Sequence, residues 1–249
     1  MGGIVFLAFL GINAWAEPPI RLGVGDWPPY LSEDLKHQGV VAHIITEVFS
    51  QAGHKVEITF YPWARAYKEA QKGRLDGTGV WLKKPEREID FYYTDPVLEE
   101  QHVIFHLKSY PFEWKTIEDL QGIQIGGIIK FSYGAEFDAA VKAGKLEVHR
   151  ISEDRQAFGM LLKGRIDVYP QEVNVGYYNL QKHFKAEEVR LITHHPKLLL
   201  SDVSYLLLSK KVERNKQLIQ IFNQELKRFK ESGKYAQYFE RVKQGKYQQ

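Results

Sequence analysis

The chain has 249 residues, of which 44% are hydrophobic and 26% charged, a composition that excludes wholesale disorder. Its 34 Lys and Arg against 31 Asp and Glu give a net charge of +3, and this small, scattered surplus argues against a nucleic-acid-binding function. Because the chain has no cysteine, disulfides, thiolate metal sites, cysteine nucleophiles and lipid attachment to an N-terminal cysteine are excluded.

The N-terminal segment 2–16 is apolar and uncharged, and no Lys or Arg precedes it. It is shorter than the ~20 apolar residues that a membrane-spanning helix needs. It ends in Ala14-Trp15-Ala16, which fits the small residues of a signal-peptidase site. We therefore expect residues 1–16 to be a cleavable signal peptide of a periplasmic protein that is not a lipoprotein. A disordered or buried N-terminal strand is the alternative.

Short apolar strands alternate with helices that carry an apolar stripe. This alternation predicts an α/β protein with mostly parallel sheets. The predicted strands are 20–25, 56–60, 101–108, 166–169 and 203–209, and the predicted helices include 41–52, 64–71, 213–230 and 234–243.

One short phrase occurs twice, as KGRLD at 72–76 and as KGRID at 163–167. Each copy follows a helix and begins a strand, and its glycine suits a left-handed helix end. The repetition indicates two similar α/β units.

The strands at 101–108 and 203–209 bracket the middle of the chain, which suggests that the chain crosses between two lobes and returns. We therefore predict a first part of lobe 1 at 17–110 and lobe 2 at 111–196. Residues 197–249 would supply the return crossover and the C-terminal helices of lobe 1.

An ordered set of motifs gives a more specific indication, namely DWPPY at 26–30, KGRLD at 72–76, PER at 85–87, TDP at 94–96 and GRID at 164–167. In order and spacing the set resembles the family 3 extracellular solute-binding proteins, the periplasmic amino-acid-binding components of ABC importers. The resemblance implies the two-lobed type II periplasmic-binding-protein fold, with a mixed sheet flanked by helices in each lobe and two crossover strands as the hinge. A ligand would be enclosed between the lobes.

Arg87 is the first site residue that the resemblance implies, as the group that binds the α-carboxylate of the ligand. An arginine in the first turn after Pro85 opposes the helix dipole, so stability alone would not select it, whereas bidentate binding of a carboxylate would. Lys84 stands where the family has a threonine. The alternative is a surface salt bridge with Glu86 or Glu88.

Glu172 lies five positions after Asp167, where the resemblance places the acid that binds the ligand ammonium. An ordinary acidic residue at a helix N-terminus is the alternative. Ser132, with Tyr133 beside it, lies between a predicted strand and helix, where a hydroxyl and backbone N–H groups can bind an anionic oxygen. A helix N-cap is the other interpretation of Ser132.

Three aromatic residues, Tyr30, Trp63 and Trp81, fall where the family lines its cleft, although core packing is the usual fate of such side chains. Arg65 could reach the cleft or brace Asp76.

No nucleophile elbow, phosphate-binding glycine loop or dinucleotide fingerprint is present, and the histidines at 102, 106, 194 and 195 do not resemble a zinc site. We therefore expect a monomeric binding protein without enzymatic activity, cofactor or metal. Its partners would be a small amino acid or organic anion and an inner-membrane ABC permease. Two alternatives are a stand-alone periplasmic ligand sensor and a cyclohexadienyl-dehydratase-like enzyme that uses Glu172 as a general acid.

Overall fold

The computed structural model describes residues 17–129 and 131–249, so the predicted signal peptide lies outside the described residues. The predicted α/β alternation is confirmed. The strands are β1 Ile20–Val24, β2 Val56–Phe60, β3 Gly77–Leu82, β4 Phe91–Leu107, β5 Ile125–Ile128, β6 Val148–Ile151, β7 Val168–Glu172, β8 Ile192–His194 and β9 Leu200–Ser209. The helices are α1 Val40–Gln51, α2 Trp63–Gln71, α3 Ala135–Lys142, α4 Asp154–Leu162, α5 Val173–His183, α6 Ala186–Val189, α7 Asn215–Glu231 and α8 Lys234–Lys243. Short 3-10 turns lie at Lys36–Gln38, Pro85–Ile89 and Ile117–Leu120.

The strands form one mixed sheet in the order β2-β1-β3-β9-β4-β7-β5-β6, with β8 paired to β4. The two ends of the sheet are parallel, β1 with β2 and β3 on one side and β5 with β6 and β7 on the other. The centre is antiparallel, because β9 pairs with both β3 and β4, and β4 pairs with β7. The two predicted crossover strands are therefore the long central pair β4 and β9.

Strand alternation gives each half of the sheet two apolar faces. In β9, Leu206 and Leu208 pack in a cluster with α1 and α7, while Leu207 packs in a second cluster on the opposite face. In β4, Phe105 belongs to a cluster with α4 and α5, while Ile104 faces Phe137 of α3. We call the half around the first two clusters lobe 1 and the half around the last two lobe 2. The predicted limits of the lobes in the sequence stay an interpretation.

The repeated phrase performs the same structural task in both lobes. Gly73 and Gly164 have φ of +72° and +62° and end α2 and α4 in the left-handed conformation that glycine adopts without strain. The carboxylate of Asp76 accepts the backbone N–H of Arg21 at 2.8 Å, and that of Asp167 accepts the N–H of Gln124 at 2.9 Å. Each aspartate thus fastens the segment after the helix to the neighbouring strand.

Asp76 carries additional charge partners. The Nε of Arg214 donates to Oδ1 of Asp76 at 2.9 Å, and its Nη2 lies 2.8 Å from the same oxygen. The Nε of Arg21 lies 3.7 Å from the other carboxylate oxygen, Oδ2. Arg65, which could have braced Asp76, instead places its guanidinium carbon 4.8 Å from the ring centroid of Tyr61.

Asp76→Ala is expected to destabilise the protein by about 2–4 kcal/mol, because it removes the acceptor of the Arg21 backbone N–H and the buried charge partner of Arg214, which keeps only the carbonyls of Pro18 and Pro19. The matched change Asp167→Ala should cost only about 1 kcal/mol, since the structure gives that carboxylate a backbone partner at a more exposed site. Urea unfolding of both variants measures the difference. Equal losses would contradict the bracing role of Arg214.

A second cluster fixes the C-terminal segment to α1. His43 stacks on His37 at 3.8 Å and on Tyr238 at 4.5 Å, and its Nδ1 lies 2.9 Å from the hydroxyl of Tyr247. Burial, with the neighbouring His37 acting in the same direction, lowers the pKa of His43 to about 4. His43 is therefore neutral in the folded protein at pH 5–6, where an unfolded histidine takes up a proton.

Stability should consequently fall as the pH drops from about 6.5 to 4, because the unfolded state binds the proton first. His43→Phe keeps an aromatic ring in the stack and removes the titration. Between about pH 6.5 and pH 4 we expect the free energy of unfolding of the wild type to fall by about 1–2 kcal/mol more than that of this variant. Thermal unfolding at a series of pH values measures both slopes, and parallel slopes would refute the assignment.

Candidate functional site

Two neighbouring cavities lie beside the central strands β4 and β9, the first against lobe 1 and the second between the lobes. The first, of about 470 Å³, is called the tryptophan cavity and is lined by Asp26, Trp27, Trp63, Val80, Trp81, Leu82, Lys84, Arg87, Glu100 and Ser204. The second, of about 500 Å³, is called the hinge cavity and includes His102, Phe131, Asp154, Gln171, Glu172 and Lys182 in its lining. Trp27 and Glu100 line both cavities, so the two spaces form one cleft along the central strand pair.

Three tryptophans make one wall of the cleft. Trp27 follows β1, Trp63 opens α2 just after β2 and Trp81 lies near the end of β3, so the wall is built at the carboxyl ends of these three strands. The rings of Trp63 and Trp81 meet edge to face, with centroids 5.3 Å apart. Gly25 permits this arrangement, because a Cβ at that position would lie 2.1 Å from the Trp63 ring. Trp63 and Trp81 thus lie in the predicted region.

Arg87 extends from the 3-10 turn into the tryptophan cavity. Its Nη1 donates to the carbonyl oxygen of Leu82 at 2.6 Å, and its guanidinium carbon lies 4.7 Å from the ring centroid of Trp81. The alternative salt bridge is not formed, because Glu88 pairs with Lys83 at 3.0 Å. Among residues 17–129 and 131–249 no carboxylate lies within 4.0 Å of the Arg87 guanidinium nitrogens. A stacked, half-buried guanidinium with no such partner is a competent binding group for an anion.

Glu172 lies in the wall of the hinge cavity and caps α5. Its carboxylate accepts the N–H groups of Asn174 and Val175, both at 2.9 Å, and that of Gln101 at 3.4 Å. The side chain is buried, and burial raises its pKa despite these bonds. The structure therefore assigns to Glu172 the helix N-terminal position that was its alternative interpretation.

The other three predicted residues do not line the cleft. Tyr30 is fully buried and its hydroxyl accepts from the side-chain amide of Asn174 at 3.2 Å. Tyr133 is equally buried and accepts the N–H of Ile128 at 2.8 Å. The Ser132 hydroxyl donates to the carboxylate of Asp138, at a third cavity that shares only Phe131 with the hinge cavity. Ser132 is also not the N-cap of α3, because Gly134 occupies that position without a side-chain cap.

Sequence reasoning missed Glu100, which lies on β4 at the junction of the two cavities. Its Oε1 accepts the hydroxyl of Ser204 on β9 at 2.6 Å. Burial raises the pKa of Glu100, and the negative charge of Asp202 raises it further. The hydrogen bond from Ser204 lowers the pKa but does not offset the rise. No sequence signal marked it, because the predicted strand began at residue 101. Trp27 could have been found, since it lies in the same DWPPY motif as Tyr30.

None of the helices that the structure describes has the length and apolarity of a membrane span. Within the same residues, no three His, Asp or Glu side chains are grouped as ligands of a metal ion.

A cleft between two α/β lobes that share a central strand pair is the architecture of the type II periplasmic binding fold. The family described as bacterial extracellular solute-binding proteins, family 3, matches residues 20–244. The chain therefore belongs to this family, and it is a solute-binding protein. No curated protein sequence matches it significantly.

Solved structures show the same fold at low sequence identity. Substrate-binding domain 2 of GlnP from Lactococcus lactis, in its open conformation, has a TM-score of 0.72 and 18% identity, covering 91% of this chain and 97% of that one. The second substrate-binding domain of a putative amino acid ABC transporter from Streptococcus pneumoniae has a TM-score of 0.75 and 16% identity, covering 90% and 99%. A histidine kinase sensor domain has a TM-score of 0.58 and 18% identity, covering 90% and 95%. These likenesses confirm the predicted two-lobed fold.

Gly25→Ala is expected to displace the Trp63 ring, because the new methyl group would overlap it. The variant should lose about 1–3 kcal/mol of stability. It should also change the near-UV circular dichroism that arises from the Trp63–Trp81 pair. Gly159→Ala in α4 is the matched control, since nothing lies within 4 Å of its Cβ and alanine favours a helix by about 0.5–1 kcal/mol. An unchanged spectrum for Gly25→Ala would place the Trp63 ring elsewhere.

Proposed function

We propose that this protein captures a small amino acid or a related organic anion in the cleft, in the periplasm, and presents it to an ABC-type permease. The single observation that carries the proposal is the position of the Arg87 guanidinium. It faces the tryptophan cavity, stacks on Trp81 and donates a hydrogen bond to the carbonyl oxygen of Leu82. A bidentate Arg–carboxylate bond is the contact that such a geometry favours.

The surroundings of Arg87 support an anionic group at this end of the cleft. Lys84 lines the same cavity and adds a second positive charge. The tryptophan faces beside it can cover the apolar part of a ligand and remove it from water. Closure of the two lobes would complete the enclosure, with residues 17–110 and 197–249 on one side and 111–196 on the other.

Binding without turnover is the proposed chemistry. A dehydratase on this fold would need a cleft acid that can give a proton to its substrate. Glu172, which would take that role, is held by the backbone N–H groups at the start of α5. Because the Glu172 carboxylate is already engaged in capping α5, it is poorly placed to give a proton to a substrate. This supports a binding role for the protein.

The likeness to a histidine kinase sensor domain favours one second function, in which the closed form docks on a receptor instead of a permease. Both functions use the same cleft and the same ligand contacts. Co-purification with a permease of the ABC type or with a sensor kinase would distinguish them.

Arg87→Ala should weaken binding by about 2–4 kcal/mol, which corresponds to roughly 30- to 1000-fold in Kd, because the ligand carboxylate loses its charge-assisted bonds. Isothermal titration calorimetry against the twenty L-amino acids and small organic acids measures this loss.

Arg65→Ala is the matched control, because Arg65 stacks on Tyr61 and does not line the tryptophan cavity. The control should bind as the wild type does. Undiminished binding by Arg87→Ala would refute the proposed carboxylate contact, whereas the lack of any ligand among these compounds would refute the ligand class.

A further inference from the structure

A ligand that carries an ammonium as well as a carboxylate needs an acidic partner in the cleft, because an unpaired charge in a closed cavity is costly. Glu172 is poorly placed for this role. Both of its carboxylate oxygens already accept protein donors, and only 2% of the residue is exposed. An ammonium that bound it would have to displace the bonds that cap α5.

Glu100 has the properties that Glu172 lacks. It is half-buried on β4 and lines both cavities, so a ligand in either part of the cleft can reach it. Its Oε1 is fixed by the hydroxyl of Ser204, which leaves Oε2 as an acceptor. In the part of the chain that the structure describes, no Lys, Arg or His lies within 4.0 Å of this carboxylate.

The strand register brings Glu100 and the anion-binding group to the same cavity. Arg87 donates a hydrogen bond to the carbonyl of Leu82, whose partner across the β3–β9 ladder is Ser204, and the Ser204 hydroxyl donates to Glu100 on the next strand. Arg87 and Glu100 both line the tryptophan cavity. A compact zwitterion such as an α-amino acid in this cavity can therefore contact both groups.

We propose that Glu100, and not Glu172, is the residue that receives the ammonium group of the ligand and so selects amino acids over other carboxylates. The inference rests on the proposed function, since it takes Arg87 as the partner of the ligand carboxylate. The Ser204 hydroxyl acts as a positioning group, because it fixes the carboxylate of Glu100 across the hinge.

Asp26 is the other carboxylate of the tryptophan cavity and the competing partner. It is exposed, on the loop between β1 and the first 3-10 turn, so its pairing with an ammonium would be screened by water. Glu100 is partly desolvated, where the same pairing is stronger. Asp26 therefore enters the experiment as a comparison variant.

The test uses ligand pairs that differ only in the ammonium. The probes are L-alanine with L-lactate, L-leucine with L-2-hydroxyisocaproate, L-glutamate with L-2-hydroxyglutarate and L-phenylalanine with L-phenyllactate. Each hydroxy acid keeps the carboxylate and replaces the ammonium with a hydroxyl. Calorimetry gives the ratio of the two affinities for the wild type and for Glu100→Gln, Glu172→Gln, Asp26→Asn and Glu99→Gln. Glu99 is exposed and adjacent on β4, so its variant is the matched control.

The wild type should prefer the amino acid of at least one pair by tenfold or more. Glu100→Gln should reduce this ratio to below threefold while binding of the hydroxy acid is kept, and the control should leave the ratio unchanged. A ratio that survives in Glu100→Gln, or that collapses in Asp26→Asn or Glu172→Gln instead, overturns the assignment and leaves the proposed function standing. A wild type that binds neither member of any pair, and none of the amino acids and organic acids used to test the proposed function, overturns both. If circular dichroism shows that Glu172→Gln does not fold, the comparison of the affinity ratios of Glu100→Gln and Glu99→Gln decides the question.

Discussion

The antiparallel pairing of β4 with β9 is the interaction on which the rest of the structure depends. These two strands end the sheet of lobe 1 and begin that of lobe 2, so both lobes are continuous with the same ladder. Their side chains also form the floor of the cleft, where Glu100 of β4 is bonded to Ser204 of β9. A hinge built from paired strands keeps its backbone hydrogen bonds while its dihedral angles adjust, which lets the lobes move without unfolding either core.

Local pattern predicted most of the fold. The glycine of each KGRxD phrase, the apolar stripes of α1 and α7, and the strand run at 56–60 act through neighbours in sequence, and the structure confirms all of them. The phrase was informative because its aspartate makes the same backbone contact in both lobes, at Arg21 and at Gln124. The charge partner of Asp76 could not be predicted, since Arg214 is brought to it only by the return of the chain through β9.

The site was less accessible to sequence reasoning, because its residues depend on contacts across the sheet. Trp63, Trp81 and Arg87 face one cavity, and each lies beside a turn or strand end that the motifs marked. Tyr133 was selected by its place in a loop, yet its ring belongs to the core of lobe 2. Glu100 carried no marker, since an acid beside a strand is commonplace until the folded sheet brings it to the hydroxyl of a serine on the next strand. The predicted ligand contacts stay predictions.

Tyr30 has a consequence for how the lobes can move relative to each other. It is rooted in the core of lobe 1, and its hydroxyl meets Asn174 at the first turn of α5 in lobe 2. A movement that separated the lobes at this point would break the buried hydrogen bond, which contributes about 0.5–1.5 kcal/mol. A rotation of the lobes about the tyrosine would preserve it. Tyr30 therefore favours a pivoting movement over a separation of the two cores.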